Sequence, residues 1–375
     1  MSLRGDVVRL AVVGCGDVTT RYLESGDRLE RAGGAVVALC EPDEERLARM
    51  GARFGVAGLY RSLEQALAGT AVDAVVNLTP TPAHAAVTTV ALRNGCDVYS
   101  EKPLAPNLGE GIELARLADA EGRVLLCAPA TVVFPIWRMA RRMLSDGVIG
   151  SPLAMRARFD MPPLPWKRHQ TGATWFIAPD VGPLRDVGIY ALHAMLDLFG
   201  APVSVAARTA TLRGWTPEAL AAQEVGPDAV TVILGFEGGA AATLETGFFV
   251  HASLTPWAEI YGDRGTMALD MRARDEAIRV CRVESALDHS SAAPDWDSVS
   301  RQEIVRTLGC DTSGADGWFD YMAGLEEFLD VIRSPRDSPL SADRACQVLD
   351  VIDRAYAAAA AATDGTPAPR SRRVV

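Results

Sequence analysis

The sequence predicts an α/β domain built on a doubly wound parallel sheet, followed by an α+β domain with a mainly antiparallel sheet. Residues 7–127 alternate short, continuously apolar runs with helical stretches, which is typical of parallel strands buried on both faces. Beyond about residue 150, apolar and polar residues alternate, as in strands with one solvated face. A chain of 375 residues also exceeds the size at which one core usually divides. We therefore expect two domains, 1–130 and 131–375.

The first predicted strand, 7–13, ends in a glycine-rich turn that opens a helix. Gly14 permits the tight turn, and Gly16 lets a pyrophosphate approach the helix N-terminus closely. The second strand, 35–40, ends at Glu41, where a carboxylate can accept hydrogen bonds from a ribose. This β-α-β arrangement predicts a dinucleotide-binding (Rossmann) domain, although an isolated pair of glycines can also be an ordinary turn.

One position departs from the usual glycine pattern. Thr19 stands where the third glycine is common. That position governs the packing of helix against strand rather than contact with phosphate, so a small residue is compatible with binding.

The rest of the first domain continues the alternation. We predict helices at 44–54, 62–67, 85–94 and 107–121, and strands at 59–60, 72–78, 97–100 and 124–127. Pro80 and Pro82 end one strand and open the next helix. In such a sheet, ligands bind in a crevice beyond the carboxyl ends of the strands.

The second domain is predicted to carry an antiparallel sheet with a few helices. Strands are expected at 153–160, 203–212, 229–236, 240–246, 258–261, 266–270 and 277–281. Helices are expected at 135–146 and 186–199, the latter closed by Gly200. Two amphipathic helices, 318–332 and 342–363, are expected to return and pack near the first domain.

Composition argues against several classes of protein. A net charge of -11, with no basic stripe, argues against nucleic-acid binding. No apolar run reaches about 18 residues, so no membrane span is expected. The seven cysteines are scattered without metal-ligand spacing, which favours a reducing cytoplasm, free thiols and no metal site.

Polar residues at the strand ends are the first candidates for chemistry. Thr79, Pro80 and His84 follow one strand, and Glu101 and Lys102 follow the next. Most lysines are solvated surface charges. Lys102, however, directly follows a buried strand and precedes a proline, so it is also a candidate for proton exchange with a substrate hydroxyl.

A second set of proton-active residues shares one predicted helix. Asp186, Tyr190 and His193 are spaced to lie on one helix face. They fit a catalytic site, but they also fit a helix N-cap, a half-buried tyrosine and a structural histidine. The spacing alone favours this second, structural interpretation.

Taken in order, these motifs resemble the glucose-fructose oxidoreductase / inositol dehydrogenase family over nearly the whole chain. The resemblance rests on Gly14-Cys15-Gly16, Glu41, Thr79-Pro80 with His84, Glu101-Lys102-Pro103, and Gly182-Pro183-Leu184 with Asp186, Gly188 and Tyr190. It implies that Lys102 lies beside the nicotinamide and the substrate hydroxyl. Asp186 would orient the substrate or Lys102, and Tyr190 would donate or accept the proton. The family's usual triple glycine reads Val181-Gly182-Pro183 here, so that turn is expected to differ.

The resemblance implies an NAD(P)-dependent oxidoreductase that acts on a secondary alcohol or ketone of a sugar, inositol or nucleotide sugar. Glu41 favours NAD because a carboxylate repels a 2′-phosphate, while Arg46 leaves NADP as an alternative. The expected cofactor-binding residues are Gly14, Cys15, Gly16, Asp17, Val18, Glu41, Thr79, Pro80, His84, Glu101 and Lys102.

Several alternatives stay open. Some relatives hydrolyse glycosides by transient oxidation, and a cofactor-binding sensor without turnover is a further alternative. The resemblance also implies a homodimer or homotetramer. The segment 162–174 and His193 are candidate substrate contacts, which the sequence does not decide.

Overall fold

The computed structural model describes residues 7–162, 178, 181–211, 226–253, 255–270, 277–282, 301–306 and 320–363. The proposed substrate segment 163–174 and the start of the predicted helix at 318 lie outside these residues. No helix in the described ranges combines the length and the apolar character needed to cross a membrane.

The first sheet has six parallel strands in the order β3-β2-β1-β4-β5-β6. The strands are β1 (Val8–Val13), β2 (Gly34–Cys40), β3 (Leu59–Tyr60), β4 (Ala74–Asn77), β5 (Asp97–Ser100) and β6 (Leu125–Cys127). The order reverses between β1 and β4, so the carboxyl ends of these two strands flank the crevice where such sheets bind ligands. This confirms the predicted doubly wound sheet.

Six helices connect these strands: α1 (Asp17–Leu23), α2 (Gly26–Arg31), α3 (Glu44–Phe54), α4 (Leu63–Gly69), α5 (Thr81–Arg93) and α6 (Leu108–Glu121). Side chains cap three of them, since Asp43, Ser62 and Asn107 each accept a backbone N–H of the first turn. Helix α5 begins four residues before the predicted start, because Pro82 fits the first turn of a helix and does not end it.

The second sheet has eight strands in the order β14-β13-β12-β11-β7-β10-β9-β8. They are β7 (Pro152–Asp160), β8 (Ser204–Ala210), β9 (Ala229–Gly235), β10 (Ala241–Gly247), β11 (Ala258–Gly262), β12 (Gly265–Leu269), β13 (Ala277–Arg282) and β14 (Arg301–Arg306). β7 and β10 pair in parallel and every other described pair is antiparallel, so the sheet is mixed. β14 was not predicted, because its largely polar sequence lacks an apolar run.

The remaining described helices are α7 (Pro135–Ser145), α8 (Ile189–Phe199), α9 (Met322–Arg333) and α10 (Ala342–Thr363), with a 3₁₀ turn at Ala130–Val133. The predicted regular helix 186–199 was wrong at its start, because a π-helical turn, Leu184–Gly188, precedes α8. Such wide turns are frequent at functional sites. This one contains Asp186.

The two C-terminal helices lie against elements of the first sheet and its helices. Helix α10 packs on α6 at Gly111, where a Cβ would stand 3.0 Å from the side chain of Leu349. The Cys127 N–H donates to the Leu340 carbonyl at 2.8 Å, so the segment before α10 borders β6. Helix α9 packs on β5, where Tyr99 contacts Phe328. These contacts bring α9 next to the end of the strand that precedes Glu101.

Candidate active site

The glycine turn after β1 has the geometry that a bound pyrophosphate needs. Gly14 has φ of +94°, and a Cβ there would lie 2.7 Å from the Leu78 carbonyl oxygen, so glycine is required. A Cβ at Gly16 would meet nothing within 4 Å, which leaves open space at the N-terminus of α1. Thr19 is fully buried and donates its hydroxyl to the Gly14 carbonyl at 2.7 Å. Thr19, at the third-glycine position, therefore stabilises the glycine turn through this hydrogen bond.

Glu41 lies beside this turn. The Cys15 N–H donates to Glu41 Oε2 at 2.9 Å, and the Asp43 N–H donates to Oε1 at 3.2 Å. Arg46 Nη1 lies 3.9 Å from Glu41 Oε2. Burial raises the pKa of the Cys15 thiol to about 12, and the charge of Glu41 adds to this rise. Cys15 is therefore a neutral thiol at physiological pH, and its backbone N–H is held by Glu41.

The predicted Thr79–Pro80 segment follows β4 in the crevice. Thr79 donates its hydroxyl to Asn77 Oδ1 at 2.7 Å, while Pro80 is exposed. His84 is buried, and its two ring nitrogens lie 2.7 Å from the carbonyl oxygens of Pro103 and Thr79. His84 thus links the loop after β4 to the loop after β5. A substitution of His84 would therefore affect a cofactor through the position of these two loops. Its cofactor contact stays a prediction.

Lys102 and Asp186 meet in the structure although 84 residues separate them. Lys102 Nζ donates to Asp186 Oδ1 at 2.8 Å and to the Asp186 carbonyl oxygen at 2.6 Å. Both side chains are 12% exposed, so the pair is largely shielded yet reachable. Lys102 leaves β5 and Asp186 lies in the π turn. The wide turn therefore directs a carboxylate and a main-chain oxygen at one ammonium group.

Tyr190 follows on the first turn of α8. Its ring stacks on Phe159 with centroids 5.0 Å apart, and Lys102 Nζ lies 5.3 Å from the ring centroid. Burial raises the pKa of Tyr190 well above its usual value, and the nearby Tyr321 and Glu101 raise it further. Tyr190 therefore rests as a neutral phenol, which can donate a proton. The three predicted catalytic residues lie together, but their roles stay predictions.

Glu101 turns its carboxylate toward a cluster of tyrosines. Tyr22 donates its hydroxyl to Oε1 at 2.8 Å, and the Lys102 N–H donates to Oε2 at 2.9 Å. Tyr22 also packs edge-on against Tyr99 and Tyr321. Sequence reasoning missed these tyrosines because they lie on three separate elements with no shared local pattern.

His193, the third residue of the predicted helix face, has a different environment. Its ring nitrogens lie 2.9 Å from the Pro129 carbonyl oxygen and 2.8 Å from that of Pro339. The ring is buried. His193 therefore joins α8 to the segment before α10, as a structural histidine does.

The remaining predicted cofactor residues lie on α1. Asp17 is exposed at the start of the helix, and Val18 is half-buried. The open space at Gly16, the left-handed Gly14 and the buried carboxylate of Glu41 together fit a dinucleotide along the glycine turn. Across the described ranges, no group of three or more His, Cys, Asp or Glu side chains could hold a metal ion.

Two relatives of known activity cover most of the chain. The dTDP-3,4-didehydro-2,6-dideoxy-alpha-D-glucose 3-reductase of Streptomyces violaceoruber is 30% identical over 268 residues, 70% of this chain and 72% of the relative. The scyllo-inositol 2-dehydrogenase (NADP(+)) of Bacillus subtilis is 27% identical over 293 residues, 77% of this chain and 84% of the relative.

Solved structures share the fold over nearly the full length. A levoglucosan dehydrogenase in complex with NADH and levoglucosan has a TM-score of 0.78 and 18% identity, covering 94% of this chain and 97% of that one. An oxidoreductase from Agrobacterium radiobacter in complex with NAD+, L-tartaric acid and magnesium has a TM-score of 0.77 and 18% identity, covering 94% of this chain and 96% of that one.

Family models match both parts of the chain. Residues 8–128 match the oxidoreductase family with an NAD-binding Rossmann fold, and residues 137–268 match the GFO/IDH/MocA C-terminal domain. The chain therefore belongs to the GFO/IDH/MocA family of NAD(P)-dependent oxidoreductases.

Proposed function

We propose that this enzyme transfers a hydride between the nicotinamide and a secondary alcohol or ketone of a sugar, inositol or nucleotide sugar. The observation that supports this most directly is the Lys102–Asp186 pair beside Tyr190 at the end of β5. The relatives act on an inositol and on a nucleotide sugar, which supports the substrate class. When bound, the nicotinamide supplies the hydride chemistry.

The protein then needs to orient the hydroxyl or carbonyl group and exchange one proton with it. Lys102 would bind the substrate oxygen, because its ammonium has three donors and Asp186 occupies only part of them. Tyr190, a neutral phenol, would donate the proton to a ketone during reduction and accept the proton of an alcohol during oxidation. Asp186 would hold Lys102 in place and neutralise its charge.

NAD is the proposed cofactor, with NADP as the alternative. The carboxylate of Glu41 lies at the glycine turn, where it would accept from a ribose hydroxyl and repel a 2′-phosphate. Arg46 lies 3.9 Å from this carboxylate and is already paired with acidic groups. Its charge is therefore partly compensated, which weakens it as a phosphate ligand.

We further propose a homodimer or homotetramer that uses the open face of the second sheet. On β9, Val230, Val232 and Leu234 point inward while Ile233 is 52% exposed on the other face. A single exposed apolar residue is common on any surface, so Ile233 serves here as the position at which the proposed contact is tested. An Ile233→Glu variant should dissociate the assembly in light scattering, whereas an unchanged oligomer would place the contact elsewhere.

The chain division at about residue 130 and a cytoplasmic location complete the proposal. If the chain divides at about residue 130, a fragment of residues 1–130 should still bind NAD. The binding should be weak, because the fragment lacks α9 and α10, which help to hold the first sheet. Within the part of the chain that the structure describes, no disulfide joins the buried cysteines Cys15, Cys40 and Cys127, which supports a reducing compartment.

The decisive experiment follows the absorbance of reduced nicotinamide with NAD and NADP across sugars, inositols and nucleotide sugars. The wild type should reduce NAD with one substrate class, and Lys102→Ala should abolish this. If cofactor binds but no substrate changes the absorbance, the dehydrogenase proposal fails. Sugar release from glycosides would then identify a hydrolase, and its absence a sensor.

A further inference from the structure

Four of the chain's seven tyrosines surround one small cavity next to the proposed catalytic residues. The cavity, called the tyrosine cavity below, is lined by Tyr22, Tyr99, Tyr190, Tyr321 and Glu101. The cavity volume is about 10 Å³. This lies at the lower limit of the about 10–15 Å³ that one buried water needs when polar groups surround it.

The cavity walls offer polar groups that lack a full set of partners. The Tyr99 hydroxyl is fully buried and, among the described residues, makes no hydrogen bond of good geometry, although Tyr22 lies close to it. Gly324 lets this hydroxyl reach α9, since a Cβ there would collide with it. An unpaired buried hydroxyl costs about 1–3 kcal/mol, which a water in the cavity would remove.

Glu101 is the acceptor group of the cavity. Its oxygens accept one hydrogen bond each, from Tyr22 and from the Lys102 N–H, so one acceptor position remains on each oxygen. The other carboxylate at the cavity, Asp320, is held by Arg28 at 2.7 Å. Glu101 is therefore the carboxylate at the cavity with acceptor positions left for a water.

Tyr190 needs such an outlet. Because burial keeps it a neutral phenol, it can accept a proton from an alcohol only if its own proton leaves. Tyr190 and Glu101 both line the cavity, so a water there would lie between them.

We propose that the tyrosine cavity binds one water that connects Tyr190 to Glu101 and relays the reaction's proton between them. In alcohol oxidation, the substrate O–H bond breaks and its proton forms the O–H bond of Tyr190. The proton that Tyr190 held passes to the water, and a water proton passes to Glu101. The hydride leaves the substrate carbon with its electron pair, as in the proposed function. The relay rests on that proposed function. The relay itself moves one proton and no electrons, and it runs in reverse for ketone reduction.

The water site is tested without activity. A high-resolution crystal structure should show one water within hydrogen-bond distance of the Tyr190 hydroxyl, Tyr99 and Glu101, and Tyr99→Phe should remove it. A cavity that is empty in the wild type would overturn the proposal. This readout stands even if the wild type turns over no substrate, a result that would instead count against the proposed function.

The relay is tested with Glu101→Gln. This variant keeps the size of the side chain and one acceptor oxygen for the Lys102 N–H, but its amide cannot accept the proton. We expect kcat for alcohol oxidation to fall about 100-fold, with KM little changed. Glu101→Ala should regain much of its lost kcat when formate is added, because formate fits the vacated space. The control is Tyr60→Phe, which removes a tyrosine hydroxyl at the edge of the first sheet, outside the cavity lining, and should leave kcat unchanged. Wild-type kcat in Glu101→Gln, or no formate rescue in folded Glu101→Ala, would overturn the relay.

Discussion

Glu41 and Glu101 are two buried glutamates at the carboxyl edge of the same sheet, and they differ in what surrounds them. Each follows a parallel strand, and each accepts the N–H of a residue beside the crevice. Within the described ranges, Glu41 has two backbone donors and the nearby Arg46, whereas Glu101 has the Tyr22 hydroxyl and a cavity lined by tyrosines. The same residue type at the same edge therefore suits ribose recognition at β2 and proton chemistry at β5.

The comparison teaches that the neighbours of a strand-end carboxylate decide its use. Backbone donors arrange an acceptor group without offering a path for a proton. Phenols and a water-sized cavity offer such a path. Changes at the β5 end should therefore reduce kcat, and changes at the β2 end should alter cofactor affinity.

The largest effect is expected at the β5 end, from Tyr190→Phe. The variant keeps the ring that stacks on Phe159 and lies near Lys102, and it removes only the hydroxyl. We expect kcat to fall about 10²–10⁴-fold because proton transfer is lost, with thermal stability and NADH affinity close to wild type. Steady-state kinetics and fluorescence titration of NADH measure both quantities. Wild-type kcat in this variant would remove Tyr190 from the mechanism.

The next effect is expected at the β2 end, from Glu41→Ala. The variant removes the proposed acceptor of the ribose hydroxyl, so NAD affinity should fall about tenfold or more. NADP affinity should rise, since the charge that repels a 2′-phosphate is gone and Arg46 is released. Saturating NAD should restore kcat. Titration with both cofactors tests this, and an unchanged NAD-to-NADP preference would contradict the role of Glu41.

The sequence predicts the carboxyl end of β2 better than that of β5, and the reason is physical. Glu41 lies in the same β-α-β unit as the glycine turn, 26 residues from Cys15, so local spacing was enough to predict its place at the end of β2, while its ribose contact stays a prediction. Lys102 and Asp186 are 84 residues apart, and only the family resemblance related them. The Tyr22–Glu101 bond spans 79 residues and belongs to no motif, and the π turn around Asp186 has a sequence that also suits a regular helix.

Paired glycine variants sharpen the account of the β2 end. Gly16→Ala has room in the unliganded protein, so it should leave the melting temperature unchanged and weaken NAD binding where the pyrophosphate approaches. Gly14→Ala puts a Cβ against the Leu78 carbonyl at a positive φ and should lower the free energy of unfolding by about 1–3 kcal/mol. Equal destabilisation by both variants would mean that Gly16 is structural.

The smallest effect comes from a third buried carboxylate, Glu327 on α9, which lies outside the crevice. It accepts from Arg336 at 2.8 Å, from Arg138 at 3.1 Å and from Ser338 at 2.9 Å. Burial acts to raise the pKa of Glu327, but the hydrogen bonds from Arg336 and Ser338 outweigh it and hold the pKa below 4.5.

Glu327 should therefore affect stability and leave the chemistry unchanged. Glu327→Gln is expected to lower the free energy of unfolding by about 1–2 kcal/mol at neutral pH, because both arginines are partly solvated. A carboxylate with a lowered folded-state pKa stabilises above its unfolded pKa and loses this as pH falls through the folded value. The difference from wild type should thus be full above about pH 4.5 and shrink below it. Denaturant unfolding across this range, with kcat measured beside it, separates a structural carboxylate from the two at the crevice. A large loss of kcat in Glu327→Gln would show that burial of a glutamate near this sheet is enough to affect catalysis, whatever its neighbours.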